Sequence, residues 1–403
     1  MNAAGANANA MTSSPRPAAP TDRALVAWLA LCCALVFATV VLGAAVRLTG
    51  SGLSMVDWRP LAGALPPLDA EAWRRAFAAY RQFPEYRLVN PDMTLAGFQF
   101  IFWFEYAHRL LGRVIGVVFL LPFLFFLAAG RVSGALGVRL WALFGLGAAQ
   151  GLLGWYMVQS GLAGAPQVSP YRLALHFMLA AGIYAWMLRV TVGVARRRPA
   201  VDSATTVAGT VTATVAGKIA VTVILLTMLS GALVAGRRAG FAYNTWPLFD
   251  GAWIPAHLFA LRPWWLNFTD NIVTIQFAHR WLAFLALAAA AGFAWRLIRD
   301  GVRDGGDGVR DGGGDAVRDG VRDGGDGDNR GNRTNRTDTL AGYALLTVAA
   351  AQVMLGIATL LLRVPPALGV AHQAGAMLLL TVTVAALATR LPPLPAAPRP
   401  RQQ

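Results

Sequence analysis

Eight stretches of this chain, at roughly 24–46, 99–129, 137–159, 171–194, 217–236, 272–297, 339–362 and 367–389, are apolar over about twenty residues or more. At about 1.5 Å per residue, such a stretch crosses the ~30 Å of hydrocarbon in a bilayer. In lipid the backbone must satisfy its own polar groups, which selects the helix. The chain therefore reads as an all-α integral membrane protein with eight transmembrane helices. Composition agrees: 56% of the 403 residues are hydrophobic and only 14% charged, against about 25% charged in soluble domains. A water-soluble enzyme is excluded on that balance.

The formal net charge of +15 could point to nucleic acid, but 34 of the 35 basic residues are arginines, Lys218 being the lone lysine. They sit mostly in short segments between apolar runs, the distribution of a membrane topology signal. One set of connections holds Arg16 and Arg23, Arg131 and Arg139, Arg196 to Arg198 with Lys218, Arg296 and Arg299, and Arg390, Arg399 and Arg401. The positive-inside rule puts these on the cytoplasmic side together with both termini, and leaves two long outer loops, 47–98 and 237–271. Cys32 and Cys33 are neighbours in the first run. Adjacent helical positions diverge, so neither a disulfide nor a metal pair is expected.

Residues 1–22 read as a disordered leader, poor in arginine for a mitochondrial transit sequence and without a signal-peptide pattern. The stretch 300–338 repeats Gly-Val-Arg-Asp-Gly-Gly-Asp with variations and holds 10 of the chain's 20 acidic residues. It lacks the regular large apolar position of a calcium-binding Gly/Asp coil, and its composition favours a flexible cytoplasmic linker. The sequons at Asn332 and Asn335 fall inside it and carry no weight.

The rest of the chain is duplicated. Gly43-Ala-Ala-Val is matched by Gly231-Ala-Leu-Val, Gln150-x-x-Leu-Gly154 by Gln352-x-x-Leu-Gly356, Tyr-Ala-His108-Arg109 by Phe-Ala-His279-Arg280, and Ala-Leu-His176 by Val-Ala-His372. Loops follow suit, Trp58-Arg-Pro answering Trp246-Pro. Four spans per copy is an even number, so the repeats are parallel. The expected organisation is a leader (1–22), an N-terminal four-helix bundle (23–195), a cytoplasmic linker (196–216), a C-terminal four-helix bundle (217–390, with the insert 300–338) and a tail (391–403).

Four of the five histidines lie near the outer ends of spans 2, 4, 6 and 8. Ionisable side chains inside a span are costly and mark function by default. Two imidazoles facing each other across a bundle core are the way a b-type haem is held, so His108 with His176 and His279 with His372 are the expected ligand pairs. A lone histidine would more readily be read as bonded to a neighbouring helix, but four in matched positions of a duplicated bundle favour haem. His257 has no counterpart and is read as a non-ligand. Glu105, the only acid within an apolar run, precedes His108 by three residues and shares its helix face, whereas Gln276 holds the matching place before His279. Glu105 is read either as an ion-pair partner of Arg109 or Arg47, or as a proton donor or acceptor beside the first haem. That asymmetry points to one reactive site and one electron-relay site. Arg47, Arg109, Arg113 and Arg280, near the outer span ends, suit haem propionates, with interfacial snorkelling as the plainer reading.

Together these strings resemble the haem A synthase family: Arg47-Leu-Thr-Gly-Ser-Gly-Leu-Ser-Met, Glu105-Tyr-Ala-His108-Arg109-x-x-Gly-Arg113, Gly231-Ala-Leu-Val-Ala-Gly, Tyr243-Asn-Thr-Trp-Pro and the two later histidines. The resemblance spans nearly the whole chain except the leader, the insert and the tail. It implies an eight-span enzyme of the bacterial inner (plasma) membrane that oxidises the C8 methyl of haem O to the formyl group of haem A, by two successive hydroxylations and loss of water. It further implies that His279 and His372 ligate a resident haem b, and that His108 and His176 face the substrate haem O with Glu105 beside it. One branch of the family carries a cysteine pair in the first outer loop; this chain has none and looks like the mitochondrial and proteobacterial branch.

The implied partners are the farnesyltransferase that makes haem O and an electron donor that the residues do not identify. A homo-oligomer is compatible with the sequence, and nucleic acid is not a partner. A bis-histidine cytochrome b relaying electrons to or from quinone accounts for the four histidines but not for Glu105 opposite Gln276. A parallel-repeat transporter would place its ionisable residues at mid-membrane rather than at the outer edge.

Overall fold

The computed structural model describes residues 23–56, 62–162, 166–196, 207–310 and 325–391. Those residues are almost entirely helical: α1 (Arg23–Leu48), α2 (Ala70–Tyr80), α3 (Pro84–Leu88), α4 (Leu95–Ala128), α5 (Gly134–Leu162), α6 (Pro170–Ala195), α7 (Val207–Gly236), α8 (Ile272–Arg310), α9 (Gly325–Leu361) and α10 (Pro366–Arg390). All but α2 and α3 are long and apolar enough to cross a membrane, which gives the eight expected spans. Large apolar side chains such as Val138, Phe125 and Trp295 remain more than 60% exposed on their outer faces. In water that surface would be an aggregation liability, whereas in lipid it is the solvent-facing side.

Helix ends follow local chemistry. Asp69 caps α2 by accepting a hydrogen bond from the Ala72 amide (2.7 Å), and Thr94 caps α4 through the Gly97 amide (3.2 Å). Proline opens α3, α6 and α10, where its missing N–H is no loss.

Helices α1, α4, α5 and α6 pack as a ring, each against the next, and α7, α8, α9 and α10 form a second ring. The rings meet through α1 and α6 on one side and α7 and α10 on the other. Polar bonds cross this seam: Tyr184 and Thr381 hydroxyls lie 2.7 Å apart, and the Gln373 amide donates to the Val40 carbonyl at 2.8 Å. At the end carrying the two long connections, here called the cap end, Tyr171 donates to Asp270 (2.5 Å), which also pairs with Arg237.

The tightly packed core lies toward the opposite end. It includes Leu25, Leu29 and Val40 of α1, Phe119 and Phe123 of α4, Leu140 of α5, Ala181 of α6, Met228 of α7, Ala290 and Phe293 of α8, Leu345 of α9 and Met377 of α10. A second, aromatic cluster (Tyr80, Phe98, Ile101, Phe102, Tyr106) joins α2 and α3 to the start of α4 at the cap end.

Two expected linkers are shorter than the sequence implied. α8 runs on to Arg310 and α9 begins at Gly325, both inside the 300–338 insert, and α7 begins at Val207 inside 196–216. A helix already nucleated in the membrane propagates cheaply beyond it, so glycine-rich composition alone does not mark its end. Around the insert, Arg390 binds Asp338 at 2.7 Å and approaches Asp300 at 3.8 Å, which ties α10 to the feet of α8 and α9. Residues 1–22, 57–61 with Trp58, 163–165, 197–206, 311–324 and 392–403 lie outside the described residues, so the leader, the tail, the middle of the insert and the first expected loop tryptophan are not described.

Candidate functional site

Each of the four span histidines rests against a glycine of the preceding membrane helix. A Cβ built on Gly43 (α1) would lie 3.1 Å from Cε1 of His108 (α4), on Gly154 (α5) 3.0 Å from His176 (α6), on Gly231 (α7) 3.1 Å from His279 (α8), and on Gly356 (α9) 2.9 Å from His372 (α10). The same atom of the ring meets the same absent carbon four times. Any larger residue would have to push the imidazole away. All four contacts lie on the cap-end side of the packed core, because on each of the eight helices the core residues begin beyond the level of the histidine or its glycine. At the histidine level the four rings are only half-buried.

Within each bundle the two imidazoles are close enough to interact electrostatically, His176 with His108 and His279 with His372. Their ring nitrogens are satisfied unequally. Nδ1 of His108 and Nδ1 of His176 are buried without a hydrogen-bond partner. Gln150 donates to the His176 carbonyl at 2.9 Å and lies 3.4 Å from Nε2. In the second bundle Gln352 donates to the His372 carbonyl at 2.9 Å and lies 3.2 Å from Nδ1, while Nδ1 of His279 has the Ser230 hydroxyl at 2.8 Å. Glycine-cradled imidazoles with unsatisfied nitrogens, above a core that stops short of them, fit a planar group ligated from both sides. No cluster of three or more His, Cys, Asp or Glu is present among the described residues, so a zinc- or copper-type set is not formed there.

Glu105 is 2% exposed and fully engaged. Its Oε2 accepts from the Ser54 hydroxyl (2.7 Å) and the Met55 amide (2.8 Å), and its Oε1 from Arg109 (2.5 Å). Arg109 also donates to the Met55 carbonyl at 3.0 Å. The second bundle repeats the frame without the charge. Arg280 and Gln276 both donate to the Tyr243 carbonyl (3.1 and 2.9 Å), and Tyr243 is the counterpart of Met55. Of the two partners the sequence offered to Glu105, the structure brings Arg109 to it and not Arg47.

Residues 26–309 and 329–384 match the COX15-CtaA family, described as cytochrome oxidase assembly protein. The chain is 46% identical over 362 residues to Heme A synthase of Bradyrhizobium sp. (strain ORS 278), covering 89% of this chain and 88% of that one. It is 43% identical over 363 residues to Heme A synthase of Nitrosospira multiformis, covering 90% and 92%. A third relative, Heme A synthase of Rhodospirillum centenum, is 42% identical over 387 residues, covering 94% and 92%. This chain belongs to the COX15-CtaA family.

In this COX15-CtaA chain the arginines singled out from sequence fall into different environments. Arg109 is committed to Glu105. Arg280 is buried, stacks 4.0 Å over the Phe249 ring and binds only carbonyls. Arg47 faces the like charge of Arg238 from the other bundle. Arg113 lies one turn beyond Arg109. His257 is exposed in the second cap loop, where its carbonyl accepts from Asn271 (3.0 Å).

Three groups at the site escaped the sequence reading. The four cradle glycines were visible inside the repeated strings, but their pairing with the histidines needed the helix packing. Ser230 carries no signal except that Leu42 stands at the matching place. Glu85, in α3 of the first cap, is buried, with one carboxylate oxygen unpartnered. Burial pushes its carboxyl up to about 7, against a hydrogen bond from Tyr80 that works the other way, with the Glu105 charge adding to the rise. Burial also raises the Tyr80 phenol, whose oxygen accepts from Asn90 at 3.0 Å.

Proposed function

We propose that this protein is a haem A synthase: an oxidoreductase that converts haem O to haem A for cytochrome oxidase, acting on the C8 methyl through two hydroxylations and loss of water. The observation that carries the reading is the pair of matched, glycine-cradled histidine sites, of which only the first has a carboxylate beside it. It is supported by the family and by relatives of that name along nearly the whole chain. The protein is multi-pass in the membrane, a fitting place to modify a farnesylated porphyrin too apolar for water. The arginine distribution supports cytoplasmic termini, with the cap end facing away from the cytoplasm.

In this reading His279 and His372 hold a resident haem b, and His108 and His176 face haem O. The resident group supplies one-electron transfer when bound. The protein's own part is placement. Gly43 and Gly154 let the first imidazoles lie against their helices, so that the substrate plane is fixed between α4 and α6. Glu105, held by Ser54, Met55 and Arg109, closes the first cap onto α4 and keeps its carboxyl group one helical turn from His108. Gln276 holds the second cap with a neutral amide, as suits a site where no bond to substrate changes. Arg47, Arg109 and Arg280, all near the cap end, are the cations that would meet propionates, Arg109 while paired with Glu105. The farnesyltransferase that makes haem O is the partner that would deliver substrate.

The test is chromatography of haems extracted from membranes that express this chain with a haem O synthase. A haem A peak that disappears with His108→Ala is expected. Haem B and haem O without haem A, in a protein that still shows a low-spin b spectrum, would overturn the synthase reading in favour of an electron relay.

A further inference from the structure

Of the four span histidines, only His279 has a side-chain hydroxyl against Nδ1, a group able to accept the ring's proton there. Ser230, one residue before the cradle glycine Gly231, is 9% exposed between α7 and α8. Its hydroxyl donates to the Thr227 carbonyl at 2.8 Å, and the same oxygen lies 2.8 Å from Nδ1 of His279. A hydroxyl has a single proton. With that proton given to Thr227, the oxygen faces Nδ1 with a lone pair and accepts the hydrogen of the neutral ring there, the one arrangement in which the hydroxyl serves both neighbours. The lone pair of the imidazole is then on Nε2, the nitrogen free of protein partners. Thr227 is itself held: its one hydroxyl proton is shared between the Val223 carbonyl (2.8 Å) and, across the helix gap, the Leu282 carbonyl of α8 (3.1 Å). The Ser230 hydroxyl, held on the Thr227 carbonyl, thus favours one tautomer and one rotation of the His279 ring.

The other three rings lack this device. Leu42 stands where Ser230 stands in the repeat, so Nδ1 of His108 has no hydroxyl beside it. Nδ1 of His176 is likewise unpartnered, and Nδ1 of His372 faces the Gln352 amide nitrogen, a donor, at 3.2 Å. We propose that Ser230 is the positioning residue that makes His279 the anchoring axial ligand of the second bundle, and that its absence beside His108 leaves the first bundle able to exchange its haem. This rests on the reading of the second bundle as the resident-haem site. The physical reason is general: an acceptor on the far nitrogen orients a ligating imidazole and raises its basicity, which favours the ferric ion, and losing such a partner commonly costs 10–100-fold in metal affinity.

The experiment uses full-length protein purified in detergent with its haem: wild type, Ser230→Ala and Ser230→Thr. Two quantities are read, the midpoint potential of the b haem by optical redox titration and the rate of haem loss to apomyoglobin. The expected result is a higher potential and about tenfold faster haem loss in Ser230→Ala, with both restored toward wild type in Ser230→Thr, which keeps the hydroxyl. An alanine variant with unchanged potential and loss rate overturns the proposal. If the alanine variant holds no haem at all, the threonine variant decides: recovery supports the role, and failure to recover overturns it. A wild-type protein without a bis-histidine b haem, or one whose b haem persists in His279→Ala, overturns instead the reading on which the proposal rests, and so the two failures are told apart.

Discussion

Gly356 brings α9 so near to His372 that a single added methyl would sit 2.9 Å from the imidazole Cε1. Its helix is tied to the neighbouring bundle by Gln373, so the strain falls on the ring rather than on the helix. Gly356→Ala should therefore displace the ring, cost about 1–3 kcal/mol by overpacking and strip most of the b haem. Gly292→Ala in α8, where nothing lies within 4 Å of the added carbon, is the matched control and should leave haem content intact. The dithionite-reduced minus oxidised spectrum of the purified variants reads this directly. Equal haem in both would show that the cradle is not needed.

Glu105 sits at the meeting point of a cap loop and a helix, and its role separates from haem binding. Glu105→Ala should leave the b haem largely in place while abolishing haem A. Ser54→Ala removes one of three donors to the carboxylate and should cost about 1.5–3 kcal/mol locally, lowering haem A output without eliminating it. Extracted-haem chromatography of both variants checks the order. Normal haem A output from Glu105→Ala would remove the residue from the mechanism.

Glu85 makes the first cap sensitive to pH. A carboxyl raised from its ordinary 4.5 to about 7 on folding binds more protons in the folded cap than in the loosened one between those values. Its contribution is fully present below pH 4.5 and is lost as the pH rises through about 7. The groups that face it, Tyr80 on α2 and Glu105 on α4, offer no positive charge to reverse that sign. Proteolysis of the 62–94 region should accelerate from pH 6 to pH 8 in wild type and stay flat in Glu85→Gln. A flat wild-type profile would contradict the burial argument.

Gln373→Leu probes the seam between the bundles. Polar bonds between membrane helices are weak, averaging roughly 0.6 kcal/mol, so the expected loss in thermal stability in detergent is of that order. A loss several times larger would mean that the bond organises the seam rather than merely decorating it.

Much of this was legible in the sequence because lipid leaves few choices. Apolar length gave eight spans, and matched strings such as Tyr-Ala-His108-Arg109 and Phe-Ala-His279-Arg280 gave the duplication and the histidine pairs. What escaped depends on contacts between segments distant in the chain. That Gly43 lies under His108, that Glu105 prefers Arg109 to Arg47 and takes Ser54 as well, and that Ser230 meets His279 follow from helix rotation, which periodicity in a uniformly apolar run barely encodes. Helix ends failed for a different reason: α8 and α9 run into glycine-rich sequence because the membrane had already nucleated them.

The bond from Gln373 to Val40 runs one way only. In the repeat, Phe177 holds the place of Gln373 and Met228 that of Val40, so no reciprocal bond exists. An ancestor assembled from two identical four-helix units would have had this contact twice or not at all. The present seam is instead asymmetric: the donor amide exists in one half only, and two copies of the N-terminal half would meet through Phe177 without it. The two halves are therefore no longer interchangeable at their shared face, and exchanging one of them for its counterpart would change how the bundles meet as well as what each bundle holds.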